Sequence, residues 1–203
     1  LEKMIIASVD ELAAAVMKDF GHRCPEETKL LEIFTSVDGI RYNRKKLAKW
    51  MKPIPRSVSP LFFTGRNTVL PQPKGLVGIV VPWNYPLFLA ISPLTSALAA
   101  GNRVMIKMAA NSKHTRELFA KKIAEIFPED LVSVLPDVSG SEFSGLPFDH
   151  IIFTGSADSG RTVMRSAAES ARRNGRPHNA ARAVFVRTML AHLVDLYANA
   201  TGH

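Results

Sequence analysis

Gly75-Leu76-Val77-Gly78-Ile79-Val80-Val81-Pro82-Trp83-Asn84-Tyr85-Pro86 is the stretch that decides the fold. Its opening run is apolar, rich in valine and isoleucine, and bounded by Gly75 and Pro82. That is the pattern of a strand buried on both faces, which belongs in a parallel sheet covered by helices. A helix is expected over residues 87–100, stopped by Gly101-Asn102. Residues 103–107 (RVMIK) read as a second buried strand. Ser112 is placed to cap the next helix, whose Leu118, Phe119, Ile123, Ile126 and Phe127 line one face. Residues 131–135 give a third strand, and residues 151–153 a fourth that runs into Thr154-Gly155-Ser156 and another helix. Strands alternating with helices of about 12 to 15 residues predict a parallel α/β sheet joined by right-handed crossovers. Ligands of such sheets bind beyond the carboxyl ends of the strands.

Upstream, residues 1 to about 53 read as helical, with Ile5, Val9, Leu12, Val16 and Phe20 forming one apolar stripe. His22-Arg23-Cys24-Pro25 interrupts the pattern, and residues 26–37 and 40–51 supply two further amphipathic segments. Pro53, Pro55 and Pro60 then predict an extended linker. Downstream of Arg165 the composition turns to alanine and arginine, with little periodicity over residues 167–187. Residues 183–198 recover an amphipathic helix through Val186, Leu190, Leu193, Val194 and Tyr197. Three regions are therefore expected: helical over residues 1–60, α/β over 61–165, and a divergent tail over 166–203.

The 203 residues suffice for one domain or two small ones, and 46% hydrophobic with 22% charged residues is ordinary for a soluble globular protein. A net charge of +8 raises a nucleic-acid partner as a possibility. The basic residues are scattered, however, with tight clusters only at Arg44-Lys45-Lys46, Lys121-Lys122 and Arg172-Arg173 and no aromatic residues interleaved. Solvated surface charge is the better reading. Cys24 is the single cysteine, which rules out an internal disulfide and suits a reducing cytoplasm. No apolar run reaches the roughly 20 residues of a membrane span, the longest, residues 86–100, being broken by Ser92-Pro93. Leu1-Glu2-Lys3 carries no signal-peptide pattern, so a cytoplasmic location is expected. No metal site is expected.

The chemistry centres on Asn84. Its side-chain amide is a neutral donor at a strand's carboxyl end, placed to stabilise charge developing on a substrate oxygen. The alternative is a rigid turn bounded by Pro82 and Pro86 around Trp83. Pro82-Trp83-Asn84-Tyr85-Pro86 after this strand closely resembles the strand–turn–helix of the aldehyde dehydrogenases. Gly101-Asn102-Arg103-Val104-Met105-Ile106-Lys107 is similar to that family's second strand, which ends in lysine. Phe153-Thr154-Gly155-Ser156-Ala157-Asp158-Ser159-Gly160 is similar to its phosphate-site turn. The resemblance covers residues 1–165 and only the amino-terminal part of the family's length, and it is nearest to the class-3-like, coniferyl type. It implies a Rossmann-like sheet binding NAD or NADP, with residues 61–165 as the cofactor region. It further implies that Asn84 is the side-chain donor of an oxyanion hole and that Lys107 reaches the adenosine ribose hydroxyls. Gly155 and Ser156 would open a helix whose free N–H groups and positive end face the pyrophosphate, with Trp83 near the same phosphates. Taken without the family, Lys107 can be a snorkelling strand cap and Gly155-Ser156 a plain helix start.

The sequence also departs from the family. Where many members have Pro-Ser-Glu after the lysine, Met108-Ala109-Ala110 stands here, so Ala110 replaces a carboxylate that would contact the ribose and repel a 2′-phosphate. That places NADP beside NAD. Ser159 replaces a usually apolar residue. The family's reaction, NAD(P)-dependent oxidation of an aldehyde to a carboxylic acid, uses a cysteine thiolate as nucleophile and a glutamate that activates water. The glutamate's Glu-Leu-Gly-Gly-Lys motif is expected shortly after Arg165 and is not present; Glu169 lacks the Leu-Gly-Gly that should follow. Cys24 sits in the wrong context for the nucleophile and reads as a structural thiol. The alanine/arginine-rich composition suggests that residues from about Ser170 onward derive from an altered reading frame, since out-of-frame translation of a GC-rich gene biases composition this way. The chain by itself is expected to be inactive, and an aldehyde becomes a partner only when the missing half is supplied. Homo-oligomers are the rule in the intact family, and uncovered helix faces and sheet edges here would favour aggregation. A non-catalytic dinucleotide-binding module is the alternative, and a basic nucleic-acid-binding protein rests on charge alone.

Overall fold

The computed structural model describes residues 1–136 and 138–173, together with the backbone of residues 182–186. The amino-terminal stripe folds as two helices rather than one, α1 (Glu2–Ala7) and α2 (Val9–Phe20). Ser8 leaves helical geometry at φ −117° between them, yet Ile5, Leu12 and Val16 are all fully buried. The next two expected segments run together: α3 (Pro25–Thr28), a π-helical turn (Lys29–Phe34) and α4 (Thr35–Trp50). Gly39 does not break this run. The wide turn buries Glu32 and Ile33 and leaves Leu30, Leu31 and Phe34 exposed.

The expected extended linker is partly a hairpin. Strand β1 (Ile54–Arg56) pairs antiparallel with β2 (Asn67–Val69), Pro55 opposing Thr68. A two-stranded arm has a free edge on each side, so a proline without a backbone donor is tolerated there. The arm carries Leu61, Phe62 and Phe63 exposed.

The α/β part follows the sequence reading closely. Its strands and helices are β3 (Leu76–Val80), α5 (Pro86–Ala99), β4 (Arg103–Lys107), α6 (Lys113–Ala124), β5 (Val132–Val134), α7 (Gly140–Ser144), β6 (His150–Thr154), α8 (Ala157–Arg173) and β7 (Arg182–Val186). The sheet order is β5-β4-β3-β6-β7, every neighbouring pair parallel. One core cluster joins Val77, Ile79, Val104 and Ile106 of the sheet to Leu87, Ile91 and Leu94 of α5 and Phe119 and Ile123 of α6, with Leu12 and Val16 packed into it. A second gathers Phe143, Phe148, Ile151, Phe153 and Val163. Helix α5 runs through Pro93 and stops where Gly101 adopts φ +79°, a conformation glycine takes without a Cβ penalty. Ile126, expected on the apolar face of α6, falls beyond its last residue and is exposed.

Three expectations are corrected. Ser112 occupies the position before α6 but its side chain caps nothing. The cap comes from α2: the Asp19 carboxylate accepts the His114 and Thr115 N–H groups at 2.9 and 2.8 Å and the Thr115 hydroxyl at 2.6 Å. Burial works against ionisation of Asp19, but the Thr115 and His114 hydrogen bonds outweigh it and hold the carboxyl below its ordinary value. The stability it adds is present above that ordinary value and lost as the pH falls through the lowered one. Asp19→Ala is expected to cost about 1–2 kcal/mol in denaturant unfolding, as loss of a helix cap does. The second correction concerns the tail. Helix α8 continues past Arg165 to Arg173, burying Ala167 and Ser170, whose hydroxyl donates to the Leu146 carbonyl at 3.1 Å. The third is that residues 183–186, read as the start of a helix, fall in β7, which pairs with β6. The run Ala183-Val184-Phe185-Val186 suits a strand, and the open edge of β6 supplies the pairing that periodicity cannot see. The remainder of that expected helix, residues 187–198, lies outside the described residues.

Candidate functional site

The chain leaves β3 toward β4 and β5 on one side and comes back to β6 on the other. A parallel sheet that reverses direction in this way opens a crevice at the carboxyl ends of the two central strands. The register aligns those ends, with Val80 opposite both Lys107 and Phe153 and the Val81 N–H donating to the Lys107 carbonyl at 2.9 Å. A cavity of about 500 Å³ lies there. It is lined by Val80 to Trp83 after β3, Lys107 and Ala109 after β4, Phe153 to Ser156 after β6, Ser159, Thr162 and Val163 of α8, and Gly140 and Ser141 of α7. Four residues singled out from sequence, Trp83, Lys107, Gly155 and Ser156, therefore meet around one cleft. Asn84 is half-buried and does not line it. A larger cavity, about 610 Å³ between the carboxyl ends of α4 and α5, is lined without any charged side chain.

The wall made by β6 and α8 depends on Gly155. A Cβ added there would stand 2.7 Å from the Phe153 ring, which is buried in the second core cluster. Only a glycine lets the backbone pass this close. Ser156 opens α8: its carbonyl accepts the Gly160 N–H at 3.0 Å, and its hydroxyl donates to Ser159 Oγ at 3.0 Å. At 17 residues, α8 carries a full positive end at this point. Asp158 in its first turn is paired with Arg161. Ser156, Ser159 and Thr162 recur every three residues, which sets their hydroxyls along one helical face. Thr162 and the Gly140-Ser141 wall were missed in the sequence, although that spacing was legible. Ser159, noted only as a departure from the family, is a lining residue.

The Asn84 turn is held from a distance. Arg23, buried to 6% side-chain exposure, donates to the Asn84 backbone carbonyl and, at 2.9 Å, to Glu27. Its guanidinium lies 4.5 Å from the ring centres of both Phe20 and Tyr85. Glu32 is fully buried and 3.5 Å from Arg23. Its Oε2 accepts the Leu87 N–H at 2.7 Å and the Phe88 N–H at 3.2 Å. Burial pushes the Glu32 carboxyl up to about 7, against those amides and Arg23, which pull it back. Trp83 is 56% exposed and packs on Phe20 at 5.9 Å. The Asn84 side-chain oxygen is buried with no partner among the described residues. Sequence reading took Arg23 for a mere interruption; the usable signal was a charged Glu32 inside an apolar run. Cys24 is an exposed free thiol 2.8 Å from Glu26, remote in role from this cleft, whose lining contains no cysteine. Among the described residues no helix is long and apolar enough to cross a membrane.

Comparison with known proteins places this geometry. The family model for the aldehyde dehydrogenase family matches residues 1–175, a span that passes Ser170 and takes in all of α8. A "probable coniferyl aldehyde dehydrogenase" of Pseudomonas aeruginosa is 49% identical over 172 residues, covering 84% of this chain and 36% of that protein. A coniferyl aldehyde dehydrogenase of another Pseudomonas strain is 40% identical over 169 residues, covering 82% and 35%. The substrate-bound structure of Staphylococcus aureus AldH superimposes with a TM-score of 0.79 at 28% identity, over 83% of this chain and 37% of that one. The crystal structure of PnpE in complex with nicotinamide adenine dinucleotide gives 0.71 at 26% identity, over 86% and 35%. The chain thus spans about a third of the length of the curated relatives it matches. With a family match over residues 1–175 and a parallel sheet of the same fold as these structures, the chain belongs to the aldehyde dehydrogenase family.

Proposed function

We propose that this chain is the NAD(P)-binding part of a coniferyl-type aldehyde dehydrogenase, serving the oxidation of an aldehyde to a carboxylic acid. The observation that carries the reading is the convergence of Trp83, Lys107, Gly155 and Ser156 on one cleft at the reversal point of the sheet. The residues present fit a dinucleotide. Gly155 lets the backbone at the mouth of α8 pass the buried Phe153 ring, which a Cβ would strike at 2.7 Å, and the positive end of α8, whose Ser159 N–H is taken by Ser156 Oγ at 3.3 Å, suits a pyrophosphate. Of the lining hydroxyls, Ser156 donates to Ser159 Oγ and Thr162 to the Asp158 carbonyl, which leaves the Ser159 hydroxyl as the neutral donor there. Lys107 holds the adenosine ribose, and Trp83 gives a flat wall beside the phosphates. When bound, the dinucleotide accepts the hydride of the oxidation. Asn84 donates its side-chain N–H to the oxygen on which negative charge develops. The single cysteine is Cys24 and no Glu-Leu-Gly-Gly-Lys motif occurs, so the 203-residue chain binds cofactor without turning over aldehyde. Its free thiol suits a cytoplasmic setting.

Trp83 reports on the cleft directly. In a Trp50→Phe background, leaving Trp83 as the only tryptophan, NAD and NADP are expected to change its emission saturably, with no aldehyde-dependent rise in NAD(P)H absorbance. Emission that never responds to either dinucleotide sinks the reading. Ala110 is exposed just past Lys107 and Ala109, leaving the ribose side without a carboxylate, so NADP is accepted at least as well as NAD. Ala110→Glu is expected to shift the NAD/NADP affinity ratio toward NAD by roughly tenfold, about 1.4 kcal/mol.

A further inference from the structure

We infer that Arg23 and Glu32 are positioning residues for Asn84, clamping the turn that presents its carboxamide from the amino-terminal helical region. The inference deepens the proposed function and rests on its assignment of Asn84.

Local hydrogen bonding holds the turn only at its end, where the Tyr85 carbonyl accepts the Leu89 N–H at 3.0 Å. Tyr85 precedes α5 with φ −136° and makes no side-chain cap, and Pro86, the first helical residue, has no N–H. The first backbone donors are those of Leu87 and Phe88, and both go to Glu32, which is 55 residues earlier than Leu87. The Asn84 side-chain oxygen has no partner among the described residues, so the carboxamide does not anchor itself through that atom. What is held is the backbone on either side of it. Arg23 takes the Asn84 carbonyl from 61 residues away and stacks on the ring of Tyr85, the next residue. Phe20 also packs against the guanidinium, at 4.5 Å, and supports Trp83. Carbonyl, ring and helix start are thus fixed together by one buried pair.

A buried ion pair is a poor way to gain stability, since apolar groups of the same volume do as well or better. Here the two members specify geometry through the bonds each makes to the turn, Arg23 to the Asn84 carbonyl and the Leu87 and Phe88 amides to Glu32, because each hydrogen bond demands a direction. Glu27 completes the set of charged groups around Arg23, half-exposed and 2.9 Å away. The arrangement places a directional demand on three consecutive parts of one turn, which core packing alone would not require.

The test uses the full 203-residue chain labelled uniformly with ¹⁵N, the Asn84 side-chain amide signal being assigned by its loss in Asn84→Asp. Amide exchange is followed at Leu87 and Phe88, with Val104 and Ile106 of β4 as internal references. Glu32→Gln keeps an acceptor oxygen and is expected to leave the Asn84 signal in place. Glu32→Ala is expected to speed exchange at Leu87 and Phe88 at least about tenfold more than at β4 and to move the Asn84 signal. Arg23→Lys, which keeps the charge but not the fork or the stacking, is expected to move the Asn84 signal while β4 stays protected. Should Glu32→Ala fail to fold, Arg23→Lys decides with the same readouts. An Asn84 signal unmoved in both Glu32→Ala and Arg23→Lys, or exchange accelerated equally at α5 and β4, overturns the inference. Dinucleotide binding is measured on the same samples. Binding without the local response overturns the positioning inference alone; the local response without binding overturns the cofactor reading alone.

Discussion

Arg23→Ala is expected to lower the unfolding free energy by about 3–5 kcal/mol, the usual cost of removing one partner of a buried ion pair. The loss has several sources that act together. Glu32, with no exposure at all, keeps its two amide donors but loses its only counter-charge within 4 Å among the described residues. The Asn84 carbonyl loses its donor, and the rings of Phe20 and Tyr85 each lose the guanidinium packed on them. By contrast, Lys122→Ala, which breaks the 3.1 Å pair with the well-exposed Glu11, is expected to cost less than about 1 kcal/mol. Urea unfolding of both variants checks the contrast; equal effects would mean that the Arg23 cluster is no more than another surface pair.

The same cluster sets a pH dependence whose sign is fixed. Burial raises the folded-state value of the Glu32 carboxyl from 4.5 to about 7, so folding favours its neutral form. Its contribution to stability is then fully present below the unfolded value and is lost as the pH rises through the folded one. Glu32→Gln, neutral throughout, is expected to flatten the fall in stability between pH 4.5 and 7. Arg23, Glu27 and the amides of Leu87 and Phe88 are the groups that act on Glu32, and all of them survive in that variant.

Gly155→Val is expected to abolish dinucleotide binding, weakening it at least about a hundredfold, with a loss of about 1–3 kcal/mol in stability from overpacking. The added Cβ meets three Phe153 ring atoms at 2.7, 3.3 and 3.4 Å. That ring is 4% exposed and packed among core residues, so it cannot swing aside, and the backbone at the mouth of α8 must move instead. Gly140→Ala tests the specificity of the effect. Gly140 lines the same cleft, but a Cβ there meets nothing within 4 Å. Its stability is expected to be unchanged within about 0.5 kcal/mol. Calorimetric binding and thermal unfolding of the two variants separate close approach from mere crowding of the cleft. Wild-type affinity in Gly155→Val would show that the site does not depend on it.

The parallel sheet was legible because strands buried on both faces leave short unbroken apolar runs, and β3 and β4 lie within a residue of where those runs end. The cleft residues were legible for a different reason: each sits at the carboxyl end of such a strand, inside a recognisable motif. What escaped was long-range pairing. Asp19 displaced Ser112 as the cap of α6 across about 95 residues, and Glu32 capped α5 across 55. Neither carboxylate differs in sequence from a solvated one until the fold brings a helix start to it. The strand at Arg182–Val186 escaped because Val186 also fits the helical period of Leu190, Leu193 and Val194, and only the free edge of β6 decides between the two. The break at Ser8 escaped because the apolar stripe continues through it in register.

Isothermal titration of the 203-residue chain with NADP and then NAD tests the central claim most directly. The account predicts saturable binding of about one dinucleotide per chain in the micromolar range, near −8 kcal/mol, weakened about tenfold or more by Lys107→Ala. Absence of binding by either dinucleotide, or an affinity that Lys107→Ala leaves untouched, would contradict it.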